Sequence, residues 1–408
     1  MTAPAPRRPF AGRCVLLGVT GGIAAYKAVQ LARLMAQAGA RVETVLTPGA
    51  LDFVRPLTFE ALTGTRAHAD PYLPGDPLRH VRLAREADVV VVAPATADFL
   101  ARAAAGMADD LLSAVLLVSG APVVLAPAMN DGMYEHPLTQ ANLERLRGIG
   151  YRIAGPAAGP LAWGEGEGPG RMLEPEKIAA HAGRALEGET PLSGRRVLVT
   201  AGPTREPLDP VRYLGNRSSG RMGYQLAAAA WRRGAEVTLI SGPSALEPPE
   251  GVETVRVETA VEMRNAVATT LPDSDLLVMA AAVADFSPAT AVREKIKKAA
   301  GPPEVRLEPT PDVLAETRSL RPAGCLVVGF ALETGDAVEK GRAKLAAKGL
   351  DLLVVNDASE EGAGFETESN RVTLVAGSDE PELLPLLSKA EVADRVLDRV
   401  ETLLPGQP

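Results

Sequence analysis

Two cysteines, four histidines and an aromatic content of 4% are very little for a chain of 408 residues. His68, His80, His136 and His181 are scattered, and Cys14 and Cys325 each sit in an apolar run. No His/Cys zinc constellation is therefore available, and both thiols are expected to be buried and inert. Positive charge is short as well: 43 Lys and Arg stand against 51 Asp and Glu, a formal net charge of −8. That balance argues against a general nucleic-acid or anionic-membrane surface, although local backbone sites for small anions remain open. The N-terminal "MTAPAPRRPFAGRC" has no apolar run after its arginines, so it is not read as a secretory signal, and a cytoplasmic protein is expected. Neither G-x-x-x-x-G-K-[ST] nor a G-x-G-x-x-G between strand and helix is present, which removes both standard phosphate fingerprints.

What is there is alternation. Short β-branched runs, "RCVLLGV", "RVETVLT", "ADVVVVAPA" and "APVVLAPA", read as strands between helices at 23–38, 96–117 and 137–148. This is the pattern of a parallel sheet covered by helices. A second series runs through "RRVLVTA", "AEVTLISG", "DLLVMAAAV", "CLVVGFAL" and "DLLVVND" and closes with a helix at 387–403. The predicted fold class is α/β with two doubly wound units, over 12–182 and 195–408, joined by a linker at 183–194. The units echo each other, "GRCVLLGVTGG" answering "GRRVLVTAGPT". Gly12 and Gly39 are 27 residues apart, whereas Gly194 and Gly234 are 40 apart, so the second unit carries 13 extra residues within "REPLDPVRYLGNRSSG". Such an insertion at the carboxyl end of a parallel strand falls where these folds bind ligands.

Several stretches carry chemistry, and each has a plainer reading. "GVTGGIAAYKA" takes a strand through Thr20-Gly21-Gly22 directly into a helix; bare backbone N–H groups there suit a phosphate, but most Gly-Gly turns are only turns. "APATADFL" and "APAMNDGMYEHP" gather small residues, a hydroxyl and an amide at one sheet edge, where Thr96 and Asn130 also suit helix capping. His80 precedes a buried strand by one short helix; His68 and His181 are read as structural. "NRSSGRMG" offers an amide, hydroxyls and two arginines before a helix, suited to a carboxylate or phosphate. Asp285 is expected at a strand end in "AAAVADF", with "REKIKK" just beyond, an arrangement suited to a divalent metal and a triphosphate.

Taken together, "GVTGGIAAYK", "PAMN" and "GPGRM" in the first half and "TAGPTREPLDPVRY", "NRSSGRMG", "AAAVADF", "KIKK" and "AKLAAKGLDLLVVN" in the second resemble the bacterial bifunctional phosphopantothenoylcysteine decarboxylase/phosphopantothenate–cysteine ligase family of coenzyme A synthesis. The resemblance runs from residue 12 to 403. It implies a flavodoxin-like decarboxylase holding FMN and a Rossmann-like ligase using CTP and Mg2+. By this resemblance Thr20, Gly21, Gly22, Thr47, Ala95 and Thr96 lie near FMN, His80 is the active-site histidine, and Met129, Asn130 and Arg171 meet the substrate. In the ligase half, Asn216 and Arg212 act on an acyl-cytidylate, while Asp285, Lys295, Phe330, Lys344 and Lys348 form the nucleotide site, with Asp285 the metal ligand. It also implies FMN-site trimers and ligase dimers, hence a homo-oligomer, by analogy a dodecamer, with small-molecule substrates only.

One stretch departs from that pattern. In "GPLAWGEGEGPG" the family loop usually carries a cysteine where Trp163 stands, and that cysteine is assigned to protonating the enethiol in the last step. Two outcomes follow: release of an unreduced enethiol, or protonation by another acid. Glu165, in the same loop as Glu167, is the expected substitute, its pKa raised by the indole's shielding; alternatively Trp163 only lids the flavin. Two further readings are a decarboxylase acting on a peptide C-terminal cysteine and a flavin-binding regulatory subunit. The fused ligase half weighs against the first, and the presence of His80 and Asn130 against the second.

Overall fold

In a computed structural model the chain divides into two units, residues 8–188 and residues 189–408, the second also including the N-terminal residues through Arg7. The structure describes residues 7–70, 75–164, 166–297, 303–333, 337–357, 369–377 and 380–404. The first unit is built on six parallel strands: β1 (Cys14–Val19), β2 (Arg41–Leu46), β3 (Ala67–His68), β4 (Val89–Ala95), β5 (Val123–Pro127) and β6 (Arg152–Ile153), in the order β3-β2-β1-β4-β5-β6. Without the two-residue edge strand β3, this is the flavodoxin-like order. The helices are α1 (Ala25–Gln37), α2 (Pro56–Thr63), α3 (Arg79–Glu86), α4 (Ala97–Ala105), α5 (Leu111–Val118), α6 (Asp131–Glu135), α7 (Pro137–Gly148) and α8 (Pro175–Glu187).

Alternation along the strands explains why helices cover both faces. Val15, Leu17, Val89 and Val91 pack with α1 and α8, whereas Leu16, Val90 and Val92 pack with α3, α4, α5 and α7. Strands buried on both faces read as continuous apolar runs, and each such side chain contributes roughly 1.5–3 kcal/mol on burial. The single helix expected at 96–117 is two. Gly106 takes a left-handed φ of 71° that ends α4, and Asp110 caps α5 by accepting from Ser113 N at 2.8 Å. An antiparallel hairpin, β7 (Ala157–Pro160) and β8 (Glu167–Arg171), follows. Helix α8 then runs to Glu187, and the division between the units falls at Gly188.

The second unit repeats the plan. Strand β9 (Arg196–Ala201) is followed by the 13-residue insertion, which folds as a small hairpin, β10 (Arg205–Pro207) with β11 (Tyr213–Gly215). Next come α9 (Arg221–Arg232), β12 (Glu236–Ser241), β13 (Glu253–Arg256), α10 (Ala260–Thr270), β14 (Leu276–Met279), the pair β15 (Phe286–Pro288) and β16 (Leu307–Pro309), α11 (Val313–Glu316), β17 (Leu326–Glu333), α12 (Ala337–Lys348) and β18 (Leu352–Asp357). The sheet runs β13-β12-β9-β14-β17-β18, all parallel, and is extended antiparallel by β20 (Val372–Val375) and β21 (Glu382–Leu383); β19 (Ser369–Asn370) pairs with β22 (Leu387–Ser388) outside it. The last helix, α13 (Lys389–Leu403), packs on α9. Arg233 fixes that pairing: it is fully buried and reaches Asp394 at 3.1 Å, Asp398 at 2.9 Å and Glu401 at 3.1 Å. Burial opposes its charge, but Glu401, Asp398 and Asp394 hold its pKa above the ordinary arginine range. No helix among the described residues is long and apolar enough to cross a membrane.

Candidate active sites at the two sheet ends

In the first unit, β1 gives way to Thr20-Gly21-Gly22 and the chain turns into α1, which has neither a side-chain cap nor an acidic residue in its first turn. The positive end of the helix therefore stands uncovered by any side-chain oxygen of its own cap. Gly21 is demanded by proximity, because a Cβ there would lie 2.7 Å from the Gly49 carbonyl carbon. Thr20 Oγ1 donates to Pro94 O at 2.7 Å and accepts from Thr96 N at 3.2 Å, pinning the end of β1 to the end of β4. Thr96 caps α4, accepting from Phe99 N at 3.4 Å, and Asn130 caps α6, accepting from Gly132 N at 2.9 Å. The capping reading of these two residues holds, and both also line the cavity.

That cavity has a volume of about 810 Å3 and lies where the strand order reverses, between the ends of β1, β2, β4 and β5. Thr20, Gly21, Gly22, Thr47, Thr96, Met129, Asn130 and Arg171 all line it. Its outer wall is the β7–β8 hairpin, where Gly170 (φ 140°) lies so close that a Cβ would overlap Met129 O. Met129 N donates to Gly170 O at 3.0 Å. Lys27, buried and itself part of the cavity lining, donates to Met172 O at 3.2 Å and to Glu174 at 3.0 Å. The sequence reading passed over Lys27, although it lies on the α1 face of "GVTGGIAAYK".

The other expected residues fall elsewhere. Ala95 is fully buried in β4, and His80 is half-buried on α3, outside the cavity lining. Trp163 is 104% exposed at the hairpin tip, outside the cavity lining. Glu167 is exposed, and Glu165 lies outside the described residues. Burial pushes the Cys14 thiol up to about 11 and the Cys325 thiol likewise to about 11, so neither is a ready proton donor or nucleophile.

In the second unit a cavity of about 780 Å3 opens beyond the ends of β14, β17 and β18 and reaches the N-terminus of α9. Asn216, Asp285, Phe330, Lys344 and Lys348 line it. The insertion delivers Asn216, whose Nδ2 donates to Ala282 O at 3.2 Å and Val283 O at 2.9 Å. Asp285 does not end a strand as expected: β14 stops at Met279, and the exposed Asp285 lies six residues on, where its carbonyl accepts from Thr310 N at 3.1 Å. Among the described residues no group of three His, Cys, Asp or Glu could hold a metal unaided. Asp285 and Asp312 nevertheless both line the cavity, and Mg2+ carried by nucleotide phosphates needs only one or two carboxylates.

Arg212 and Lys295 are outside that lining. Arg212 donates to Asp209 at 3.1 Å and to Ile296 O at 3.3 Å, while Lys295 is exposed. Asp209, which the sequence reading missed, organises both: its buried carboxylate accepts from Val211 N at 2.8 Å, Arg212 N at 2.7 Å and Ile296 N at 3.1 Å. Burial opposes its charge, but these N–H donors and Arg212 hold the carboxyl below the usual carboxylate range. The Asp-Pro in "LDPVRY" was the available signal, since Asp before a turn accepts from N–H groups just ahead.

Fold and cavities thus define two fused α/β units, each with a ligand cavity at the carboxyl ends of its parallel strands and the first of flavodoxin-like type. Residues 5–185 match the family described as Flavoprotein, and residues 192–404 the DNA/pantothenate metabolism flavoprotein C-terminal domain. Proteins named coenzyme A biosynthesis bifunctional protein CoaBC are similar along nearly the whole chain. The one from Mycobacterium tuberculosis (strain ATCC 25618 / H37Rv) is 48% identical over 407 residues, 96% of this chain and 97% of its own. That from Vibrio vulnificus (strain CMCP6) is 44% identical over 402 residues, 97% and 99% of the two chains. A solved C-terminal domain of such a protein is 39% identical and covers 53% of this chain and 98% of its own, with a TM-score of 0.45. The chain belongs to the family of bifunctional enzymes of coenzyme A biosynthesis, and its first half to the flavoproteins.

Proposed function

We propose that the second unit joins 4′-phosphopantothenate to cysteine with CTP, and that the first decarboxylates the product to 4′-phosphopantetheine. The observation that carries this is the pair of cavities, each at the end of a parallel sheet in a chain matched almost end to end by bifunctional relatives.

For the flavin, the Gly21-Gly22 turn and the open end of α1 take the phosphate, with Thr20, Thr47, Ala95 and Thr96 around it. FMN, when bound, supplies the oxidation of the thiol-bearing carbon and the hydride returned at the end. Asn130 holds the departing carboxylate, Met129 and Arg171 position the substrate, and His80 manages the proton. His80 lies outside this chain's own cavity, and we assign it to a site completed by a second copy of the chain, as the resemblance to a trimer-forming family implies.

In the ligase half, a carboxylate oxygen of 4′-phosphopantothenate attacks the α-phosphorus of CTP and pyrophosphate leaves. The cysteine amine then attacks the acyl carbon, CMP leaves with the bonding pair, and one proton is released. Asp285 carries Mg2+; Phe330, Lys344 and Lys348 hold the nucleotide; Lys295 neutralises phosphate charge; Asn216 and Arg212 act on the acyl-cytidylate. The chain works in the cytoplasm as a homo-oligomer.

A second reading of the first half is favoured by Trp163: with no cysteine in the hairpin, the product stops at the enethiol. We assign the last protonation to Glu165 instead. The test is the product mass from wild type and Glu165→Gln: wild type gives 4′-phosphopantetheine and the variant accumulates the enethiol. Full product from the variant removes Glu165 from that role.

A further inference from the structure

Glu174 is the N-cap residue of α8, yet its side chain makes no capping hydrogen bond to that helix. The carboxylate instead receives two cations on one oxygen: Arg171 Nη2 donates to Oε1 at 2.6 Å and Lys27 Nζ donates to the same Oε1 at 3.0 Å. Both cations line the first cavity, from different walls. Arg171 is the last residue of β8, and Lys27 lies in the first turn of α1, shortly after the Gly21-Gly22 turn. The Lys27 side chain is only 8% exposed and also donates to Met172 O at 3.2 Å. A buried ammonium keeps its acceptors because losing them leaves an unpaired charge, so Lys27 is a fixed point. The Arg171 guanidinium is confined on two sides. It lies along the facing strand, where a Cβ on Gly159 would come within 3.4 Å of Nη1 and 3.6 Å of Cδ, and Glu174 holds Nη2. A guanidinium has further N–H groups for a ligand. Docking α8 on α1 would need only the bond from Lys27; the bond from Arg171 serves the cavity.

We propose that Glu174 is a positioning residue of the decarboxylase site: anchored by Lys27, it holds the Arg171 guanidinium at the cavity wall, where that group receives an anionic group of the substrate. The proposal deepens the decarboxylase reading above and rests on it. Lys27 and Arg171 together carry one positive charge more than Glu174 cancels, so the cluster still attracts a carboxylate or phosphate, while the shared oxygen offsets the repulsion between the two cations. Burial opposes the Glu174 charge, but Lys27 and then Arg171 hold the carboxyl below the usual carboxylate range. The carboxylate that fixes the arginine is therefore ionised at neutral pH. A long arginine stem gives up rotamer freedom when it meets a ligand, and fixing it beforehand removes part of that cost.

The test uses the full, flavin-loaded chain and follows CO2 release from 4′-phosphopantothenoylcysteine, a step that precedes the final protonation. Glu174→Gln keeps the size of the side chain and removes its charge. It is expected to raise the KM for this substrate roughly 5-fold, the upper range for a partly exposed ion pair, with kcat, flavin content and cysteine ligation unchanged. The positioning role is read from a double-mutant cycle. Arg171→Gln raises the KM at least as much, and adding Glu174→Gln to it raises the KM no further, because the carboxylate then has no guanidinium to hold. Unphosphorylated pantothenoylcysteine identifies the anion: the penalty of Glu174→Gln disappears if Arg171 holds the phosphate and persists if it holds the carboxylate, and either result supports the proposal. Should Glu174→Gln lose its flavin, the same cycle is run with Lys27→Met, which keeps the Arg171–Glu174 pair but removes its anchor and is expected to raise the KM by a smaller factor. An unchanged KM in a flavin-loaded variant overturns the proposal, and so do additive penalties in the double variant, which would separate Glu174 from Arg171. Wild type that releases no CO2 overturns the decarboxylase reading itself, and the proposal with it.

Discussion

The two units share a strand plan and a cavity position but close their cavities by different means. The first uses contact between bare backbones: Gly21 against Gly49, and Gly170 against Met129, draw a turn and a hairpin over the sheet end. The second uses added chain: the insertion carrying Asn216, and an antiparallel extension whose neighbouring strands bring Asn370 and Lys389 to the wall. The difference teaches that the shared frame sets where ligands bind, while the segments attached after the strand ends decide what chemistry meets them.

If that division is right, each half breaks alone. Gly21→Ala is expected to have the largest effect, because its Cβ meets backbone that cannot turn aside. Overpacking of about 1–3 kcal/mol translates into flavin retention and decarboxylation reduced up to roughly 100-fold, with cysteine ligation unchanged; flavin absorbance and the two product assays check it. Asn216→Asp is next. It replaces two donated bonds to Ala282 O and Val283 O with oxygen facing oxygen, and a loss of about 1–2 kcal/mol slows ligation roughly 10-fold. The expected block is at the acyl-cytidylate, with flavin content normal.

Lys27→Met sharpens the comparison by releasing the segment that follows the hairpin from α1. It removes bonds to Met172 O and Glu174 and is expected to lower the melting temperature of the first unit's transition by several degrees, leaving the second unit's unchanged. The smallest effect concerns acid. A hydrogen bond from His68 holds the Glu43 carboxyl below the usual range, against burial. A carboxyl depressed in the folded state contributes stability above its unfolded pKa and loses it as pH falls through the folded one. The wild-type advantage over Glu43→Gln in a thermal melt should therefore be present at neutral pH and vanish in acid. An advantage that persists in acid would contradict this account.

How much of this the sequence disclosed depends on where the determining contacts lie. The central parallel strands were legible because burial on both faces leaves an unbroken apolar run, as in "DVVVVAPA". Edge strands such as Ala67–His68 and Glu253–Arg256 carry no such run. The hairpin over 157–171 reads as loop because it is rich in glycine and proline; in the fold its strands pair antiparallel and lie close against Met129 and Asp131. The cavity lining near the glycines and "PAMN" was visible as motif. Lys389 and Asn370 were not, since they reach the cavity from segments more than 140 residues beyond Arg221 along the chain. For Trp163 the sequence left two readings open, a shield for Glu165 or a lid on the flavin, because an aromatic among glycines has no periodic pattern to place it; its side chain is exposed.

The most direct test of two units acting in turn is to supply 4′-phosphopantothenate, cysteine and CTP to the flavin-loaded protein and weigh the product. The account predicts 4′-phosphopantetheine, with pyrophosphate and CMP released in step and the carboxylated intermediate consumed. Accumulation of 4′-phosphopantothenoylcysteine, or of an enethiol lighter by two hydrogens that Trp163→Cys converts to full product, would contradict it.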